Sequence, residues 1–202
     1  MATPHPDLVV AVLAGGASRR MGRDKASVPI GGMTMLERVL DGLAGVGERI
    51  VVGGPAPDPI PEIPDLRPGR RGPLAGLEAA LAWAGGRSVA LVAVDQPYVR
   101  AATLGALADL PGDATVPIDQ GHPQVTCAVY RPACLPVARA LLEGTGRTSV
   151  RAVLDAVEVT EVTADLWRTW GEDGRSWFSI DTPSAVDEAL ARFGAPPLRS
   201  TP

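Results

Sequence analysis

Six consecutive apolar residues, Leu8 to Leu13, run straight into Ala14, Gly15 and Gly16. An unbroken run of that kind suits a strand buried on both faces. Further on, Leu36, Val39, Leu40 and Leu43 recur at i, i+3, i+4 and i+7, which predicts an amphipathic helix. A buried strand that opens into glycines and cations before a helix is the layout of a phosphate-binding loop. Gly15 and Gly16 let the backbone come close to a ligand and aim N–H groups at its oxygens. Arg20 and Lys25 can then neutralise the charge, one as a fork and the other as a point charge.

Lys25 is the only lysine in the chain, against eighteen arginines. Where the task is generic surface charge, this sequence uses arginine. The one ammonium it keeps sits in the glycine loop, where a compact three-donor cation and a planar guanidinium are not interchangeable. Two familiar loops are excluded. A P-loop requires Gly-Lys-Ser/Thr, whereas Gly22 is followed by Arg23, and a dinucleotide fingerprint requires G-x-G-x-x-G, whereas Gly15 and Gly16 are adjacent.

The rest of the chain alternates strands with helices. Residues 49–52 read as a second strand ending at Gly53-Gly54, and 55–71, with six prolines, as an extended connection. Pro73 suits the first turn of a helix carrying Leu74, Leu77, Leu81 and Trp83. Residues 88–94 form a third buried strand ending on Asp95-Gln96-Pro97, and a helix over about 101–110 follows. This alternation implies a parallel sheet with right-handed crossovers, whose ligands lie beyond the carboxyl ends of the strands. Both the glycine loop and Asp95 fall at that edge. In the second half, 114–118 and 157–162 read as short strands. Residues 124–130 read as a half-buried strand, with Val125, Cys127 and Val129 on one side. Residues 177–180 read as a last strand. A glycine-rich turn at 144–149 leads into a helix, and Asp181-Thr182-Pro183 opens the final one. A single domain over 1–202 is expected, with an ordered core of about 7–194 and a disordered tail.

Asp95 leaves a buried strand just before Gln96-Pro97, which turns the carboxylate toward the phosphate loop. That position suits a ligand of Mg²⁺, which takes one or two carboxylates plus phosphate oxygens. Asp181 leaves its segment in the same way and is a candidate second ligand; it is equally a candidate helix cap, because Pro183 follows. His122 before Pro123 reads as a turn residue or an acceptor contact, and Arg147 as a phosphate contact or a solvated arginine.

Composition narrows the class. A net charge of −4 argues against a nucleic-acid-coating surface. No apolar stretch approaches the roughly 18 residues of a membrane span, and the N-terminus lacks the features of a signal peptide. Cys127 and Cys134 form no C-x-x-C pair and read as two reduced thiols of a cytoplasmic protein.

The loop from Leu13 to Lys25 resembles the L-A-G-G-x-S-x-R-M-G-x-D-K signature of the molybdenum cofactor guanylyltransferase family, with Leu13, Ala14, Gly15, Gly16, Ser18, Arg20, Met21, Gly22, Asp24 and Lys25 in place. Gly72-Pro73-Leu74-Ala75-Gly76 matches the family's G-P-L-A-G, and Val94-Asp95-Gln96-Pro97 its magnesium-binding segment. Segments at 122–130, 144–147 and 180–183 are also similar, so the resemblance covers nearly the whole chain. It implies a Rossmann-like, three-layer α/β nucleotidyltransferase fold with a mostly parallel sheet. It also implies transfer of GMP from GTP to the phosphate of molybdopterin or Mo-molybdopterin with release of pyrophosphate. Lys25, Arg20 and Asp95 would carry the chemistry. Leu13, Ala14, Gly15, Gly16, Ser18, Gly53, Asp65, Gly72, Pro73, Leu74 and Gly76 would join them in nucleotide binding, Asp65 as the acidic residue preceding G-P-L-A-G. Other cofactor-biosynthesis proteins are the expected partners. Gly53 and Ser179 depart from the family's usual side chains. The rival readings are the same transfer from CTP, a sugar- or polyol-phosphate nucleotidyltransferase, and a non-catalytic nucleotide-binding protein.

Overall fold

The computed structural model describes residues 4–15, 25–67, 72–145 and 148–194. Gly16, Ser18, Arg20 and Arg147 lie outside the described residues, as does the 195–202 tail. The elements are β1 (Leu8–Leu13), β2 (Pro29–Ile30), β3 (Met33–Thr34), α1 (Met35–Gly42), β4 (Glu48–Val52), β5 (Glu62–Ile63), α2 (Pro73–Ala84), β6 (Ser88–Ala93) and α3 (Ala101–Ala108). They continue as β7 (Ala114–Asp119), β8 (His122–Pro123), β9 (Cys127–Tyr130), α4 (Cys134–Glu143), α5 (Val150–Leu154), β10 (Val159–Val162), α6 (Ala164–Trp167) and α7 (Pro183–Phe193).

The main sheet runs β10-β7-β9-β6-β1-β4-β5, with β8 paired to β7. Its contacts are parallel except those of β9, which is antiparallel to both neighbours, and of β8. β1 lies in the middle, between β4 and β6, and its first five residues are fully buried. Leu8, Val10 and Val12 face a core shared with α1, α3 and α7, while Val9 and Ala11 face one shared with α2, α4 and α5. The result is three layers, helices on both faces of a mostly parallel sheet, as the uninterrupted apolar run requires. At roughly 2 kcal/mol for each fully buried aliphatic side chain, this strand outweighs any surface ion pair. The position of this edge is therefore set by the sheet.

Local chemistry fixes the ends. Thr34 and Glu37 form a capping box that starts α1: the Glu37 N–H donates to Thr34 Oγ1 at 3.2 Å and the Thr34 N–H to Glu37 Oε2 at 2.7 Å. Pro73 occupies the first turn of α2 behind Gly72, whose φ of 68° and ψ of −160° are conformations that glycine alone adopts cheaply. No helix among the described residues is long and apolar enough to cross a membrane.

Three segments differ from the sequence expectation. The strand foreseen over 124–130 is shorter and fully buried, because Ala128 and Tyr130 fill the second face and the Tyr130 hydroxyl donates to the Val125 carbonyl at 2.7 Å. The connection over 55–71 contains β5, which extends the sheet beyond β4. The last predicted strand, 177–180, is not one. It holds the end of a 3₁₀ turn (Arg175–Trp177) followed by extended backbone whose Ile180 N–H donates to the Asp95 carbonyl at 2.8 Å. That tertiary hydrogen bond replaces a ladder.

Candidate functional site

β1, β4 and β6 end at one edge of the sheet, tied by hydrogen bonds from the Ala14 N–H to the Val52 carbonyl and from the Val94 N–H to the Leu13 carbonyl. The turn after β6 presents Asp95. Gln96, 2% exposed, underpins that turn: its Oε1 accepts from the Ala93 N–H at 3.1 Å and its Nε2 donates to Thr126 Oγ1 at 3.3 Å. In the sequence Gln96 was legible only as part of a turn, and its anchoring role has no separate signal.

Two carboxylates meet one ammonium here. Lys25 opens a 3₁₀ turn, Lys25–Ser27, just past the glycine loop, and its Nζ donates to Asp95 Oδ2 at 2.8 Å and to Asp181 Oδ1. Burial alone would lower the Lys25 pKa, but the hydrogen bonds to Asp181 and Asp95 and their charges outweigh it. The pKa is raised, and Lys25 stays cationic. Asp181 is not a helix cap. Thr182 takes that role, its Oγ1 accepting from the Ala185 N–H at 3.2 Å, and the carboxylate before it is free to face Lys25. Asp95 Oδ1 is buried and has no hydrogen-bond partner among the described residues.

These donors fit a hard divalent cation. Two carboxylates converge on a positive charge, and the buried Asp95 Oδ1, without a partner among the described residues, is chemically suited to accept a cation. No cluster of three or more His, Cys, Asp or Glu side chains able to hold a metal exists among the described residues. Any cation here would complete its shell from substrate oxygens or water.

Near this triad the backbone turns that follow β1 and β4 come into contact. A Cβ built on Gly15 would fall 2.6 Å from the Gly53 carbonyl oxygen, so the two backbone segments can touch only because Gly15 has no side chain. Gly53 has φ +76°, and a Cβ there would lie 3.5 Å from Asp65 Oδ2. The Asp65 side chain is half-buried and forms no hydrogen bond or ion pair among the described residues. Leu13 is half-buried and Ala14 buried, and Gly72 and Pro73 lie exposed at the start of α2. Leu74 is fully buried in the core, and Gly76 makes room for Leu13, whose Cδ2 would lie 2.5 Å from an added Cβ. Each has a packing reason to be what it is.

Other candidates stand apart. His122 is exposed on the β7–β8 hairpin. Trp167 and Trp177 are buried edge to face at 5.3 Å, their Nε1 atoms donating to the Ile118 carbonyl and to Asp119 Oδ2. They pack and do not offer a free stacking face.

Comparison with known proteins bears on the family and the fold. Residues 10–161 match the family described as the MobA-like NTP transferase domain. A molybdenum cofactor guanylyltransferase of Rhizobium johnstonii is 32% identical over 186 residues, 88% of this chain and 89% of the relative. A probable molybdenum cofactor guanylyltransferase of Deinococcus radiodurans is 38% identical over 164 residues, 77% of this chain and 83% of the relative. Among solved structures, the molybdopterin-guanine dinucleotide biosynthesis protein A of Archaeoglobus fulgidus superposes with a TM-score of 0.78 at 27% identity, covering 90% of this chain and 96% of its own. The 2-C-methyl-D-erythritol 4-phosphate cytidylyltransferase of Thermus thermophilus, at 20% identity and a TM-score of 0.66 over 95% of this chain and 98% of its own, shares the fold.

Proposed function

Because the chain belongs to the MobA-like NTP transferase family, and is on that ground a nucleotidyltransferase, we propose that it joins the GMP unit of GTP to the phosphate of molybdopterin or Mo-molybdopterin and releases pyrophosphate. The observation that carries the reading is the meeting of Lys25, Asp95 and Asp181 at the carboxyl edge of the sheet, next to the glycine loop. A bare nucleotide-binding module has less use for a half-buried carboxylate with one buried oxygen left without a partner among the described residues.

A phosphate oxygen of the acceptor attacks the α-phosphorus of GTP in line, and pyrophosphate leaves. Nucleophile and leaving group are both phosphates, so no strong general base is required, and positioning and charge neutralisation dominate. Lys25 binds the triphosphate together with Arg20, and the amides of Gly15 and Gly16 add donors. Asp95 and Asp181 are the residues that would hold Mg²⁺, which when bound neutralises charge on the reacting phosphate. Asp65 serves base selection. An unpartnered carboxylate accepts two parallel N–H donors, and guanine offers such a pair on its Watson–Crick edge, whereas cytosine sets one amine beside an acceptor.

The test is pyrophosphate release with Mg²⁺, molybdopterin-loaded acceptor and either GTP or CTP. Release with GTP, and its abolition in Asp95→Asn, is expected. Preference for CTP would move the substrate while keeping the fold, silence with both would direct the reading to sugar phosphates or a binding role, and near-normal turnover by Asp95→Asn would sink the metal assignment.

A further inference from the structure

The connection carrying Asp65 is pinned on both sides. Before it, β5 joins the sheet: the Val51 N–H donates to the Pro61 carbonyl at 3.0 Å and the Gly53 N–H to the Ile63 carbonyl at 2.9 Å. After it, Arg67 reaches across to α2 and grips Glu78 as a fork, Nε to Oε2 at 2.9 Å and Nη2 to Oε1 at 2.7 Å. Asp65 is two residues from each anchor.

Glu78 is unusual in its place. It is 3% exposed in a helix whose other buried residues are apolar or glycine. Arg139 Nε, from α4, lies 3.7 Å from the same Oε1 atom. Charge at such a position is a costly way to pack two helices, since an apolar pair of similar volume usually does so as well or better. What an apolar pair cannot supply is a directional tether with two fixed bonds. The tether's far end is the segment that carries the unpartnered carboxylate.

We propose that Glu78 is a positioning residue: through the Arg67 fork it holds Asp65 at the nucleobase and so sets the selectivity for guanine. The inference rests on the reading of this edge of the sheet as a GTP site. A carboxylate accepts from N1–H and the 2-amino group of guanine together only if both oxygens are aimed along the base edge. A loosened Asp65 still accepts one bond, and hypoxanthine, which lacks the 2-amino group, then binds as well as guanine does.

The test is an equilibrium titration of the full chain with GTP and with ITP in the presence of Mg²⁺. It compares the wild type, Glu78→Gln and the double variant Arg67→Met with Glu78→Met, each with a thermal melt. The wild type is expected to prefer GTP by about tenfold, the worth of one hydrogen bond to a charged group. The double variant removes both charges, so no buried carboxylate is left unpaired. It is expected to melt near the wild type while its GTP-to-ITP ratio collapses toward one, and Glu78→Gln is expected to fall between. A merely structural role would shift the melt and leave the ratio alone. If the wild type prefers GTP and the double variant, still folded, keeps the full ratio, the tether is refuted. If the wild type itself does not distinguish GTP from ITP, the guanine reading fails first and takes this inference with it.

Discussion

Replacing Lys25 with Met removes the ammonium but keeps an unbranched stem of similar length, and it isolates what the triad does. The Lys25 and Asp95 side chains are 22% and 18% exposed, so their hydrogen bond is worth the roughly 1.5–3 kcal/mol of a charged pair. The Asp181 side chain is 50% exposed, and solvent screening brings its share below about 1 kcal/mol. Relief of the ammonium's own desolvation offsets part of this sum. The substitution also leaves Asp95 with neither oxygen bonded to an ammonium, beside a second carboxylate. A net loss of about 2 kcal/mol follows, which in a domain of this size lowers Tm by roughly 4–8 °C. Mg²⁺ supplied at ten times its dissociation constant returns about 1.4 kcal/mol to a protein that binds it only when folded. Scanning calorimetry with and without Mg²⁺, in the absence of nucleotide, is the assay. The variant is expected to recover much of its Tm on adding Mg²⁺, while the wild type, whose ammonium already occupies the place, gains little. An unchanged Tm in Lys25→Met, or equal gains by both proteins, would refute the reasoning.

The glycine contact can be probed by contrast. Gly15→Ala puts a Cβ 2.6 Å from a backbone carbonyl that cannot swing aside, so nucleotide titration should show markedly weaker binding; Gly76→Ala meets only the tip of Leu13 and gains helix propensity, so its melt should stay near the wild type. The α1 cap makes a small acid-side contribution. The Thr34 N–H, then the Thr34 hydroxyl, lower the Glu37 pKa from its ordinary 4.5, so its stabilisation is full above 4.5 and fades as pH falls through the lowered folded value. In Glu37→Gln, urea melts should therefore show a shallower loss between about pH 5 and pH 3, and an unaltered slope would count against the cap. Burial pushes the Cys134 thiol up to about 11 and the Cys127 thiol further, so at neutral pH a disulfide-exchange reagent should modify both only after unfolding. Rapid reaction of one equivalent in the folded protein would contradict their placement.

How much of this was legible depends on how local the cause is. β1 and the place of the carboxylate after β6 could be read directly, because an apolar run with no polar face leaves a strand one option; most of the glycine loop lies outside the described residues. The start of α1 was written in the sequence too, as Thr34-x-x-Glu37, although the periodicity drew attention to Leu36 and its partners. Asp181 could not be decided from Asp-Thr-Pro alone, since either polar residue can cap a helix opened by Pro183. Which one does so depends on Lys25, 156 positions away. Residues 177–180 misled through the β preference of Trp, Phe and Ile; their packing places Phe178 edge to face with Phe193 at 5.4 Å and spends the Ile180 N–H on Asp95. The burial of Glu78 and Glu172 had no sequence signal, because charged residues in helices and turns are ordinarily solvated.

Glu172 shows why the site has two unlike carboxylates. It is 3% exposed, and Oε1 accepts from the N–H groups of Asp173, Gly174 and Ser176 while Oε2 accepts from the hydroxyls of Thr103 and Ser176. That carboxylate fastens the segment after α6 to the first turn of α3, and the bond from Ile180 to Asp95 carries the fastening on to Asp181. Asp95 is thus held by a sheet, and Asp181 by an irregular segment that lies beyond the stretch matching the family. The sheet-borne carboxylate is the more buried and depends on its cation; the loop-borne one is half exposed and loses little when an ammonium leaves it, because water replaces the bond. A ligand that draws Lys25 toward its phosphates therefore meets its main resistance at Asp95 rather than at Asp181. Asp95 also has the buried oxygen without a partner among the described residues, which would gain most from a cation arriving with such a ligand. On the proposed reading, exchange of one cation for another at Asp95 would let a single site be stable when empty and receptive when substrate comes.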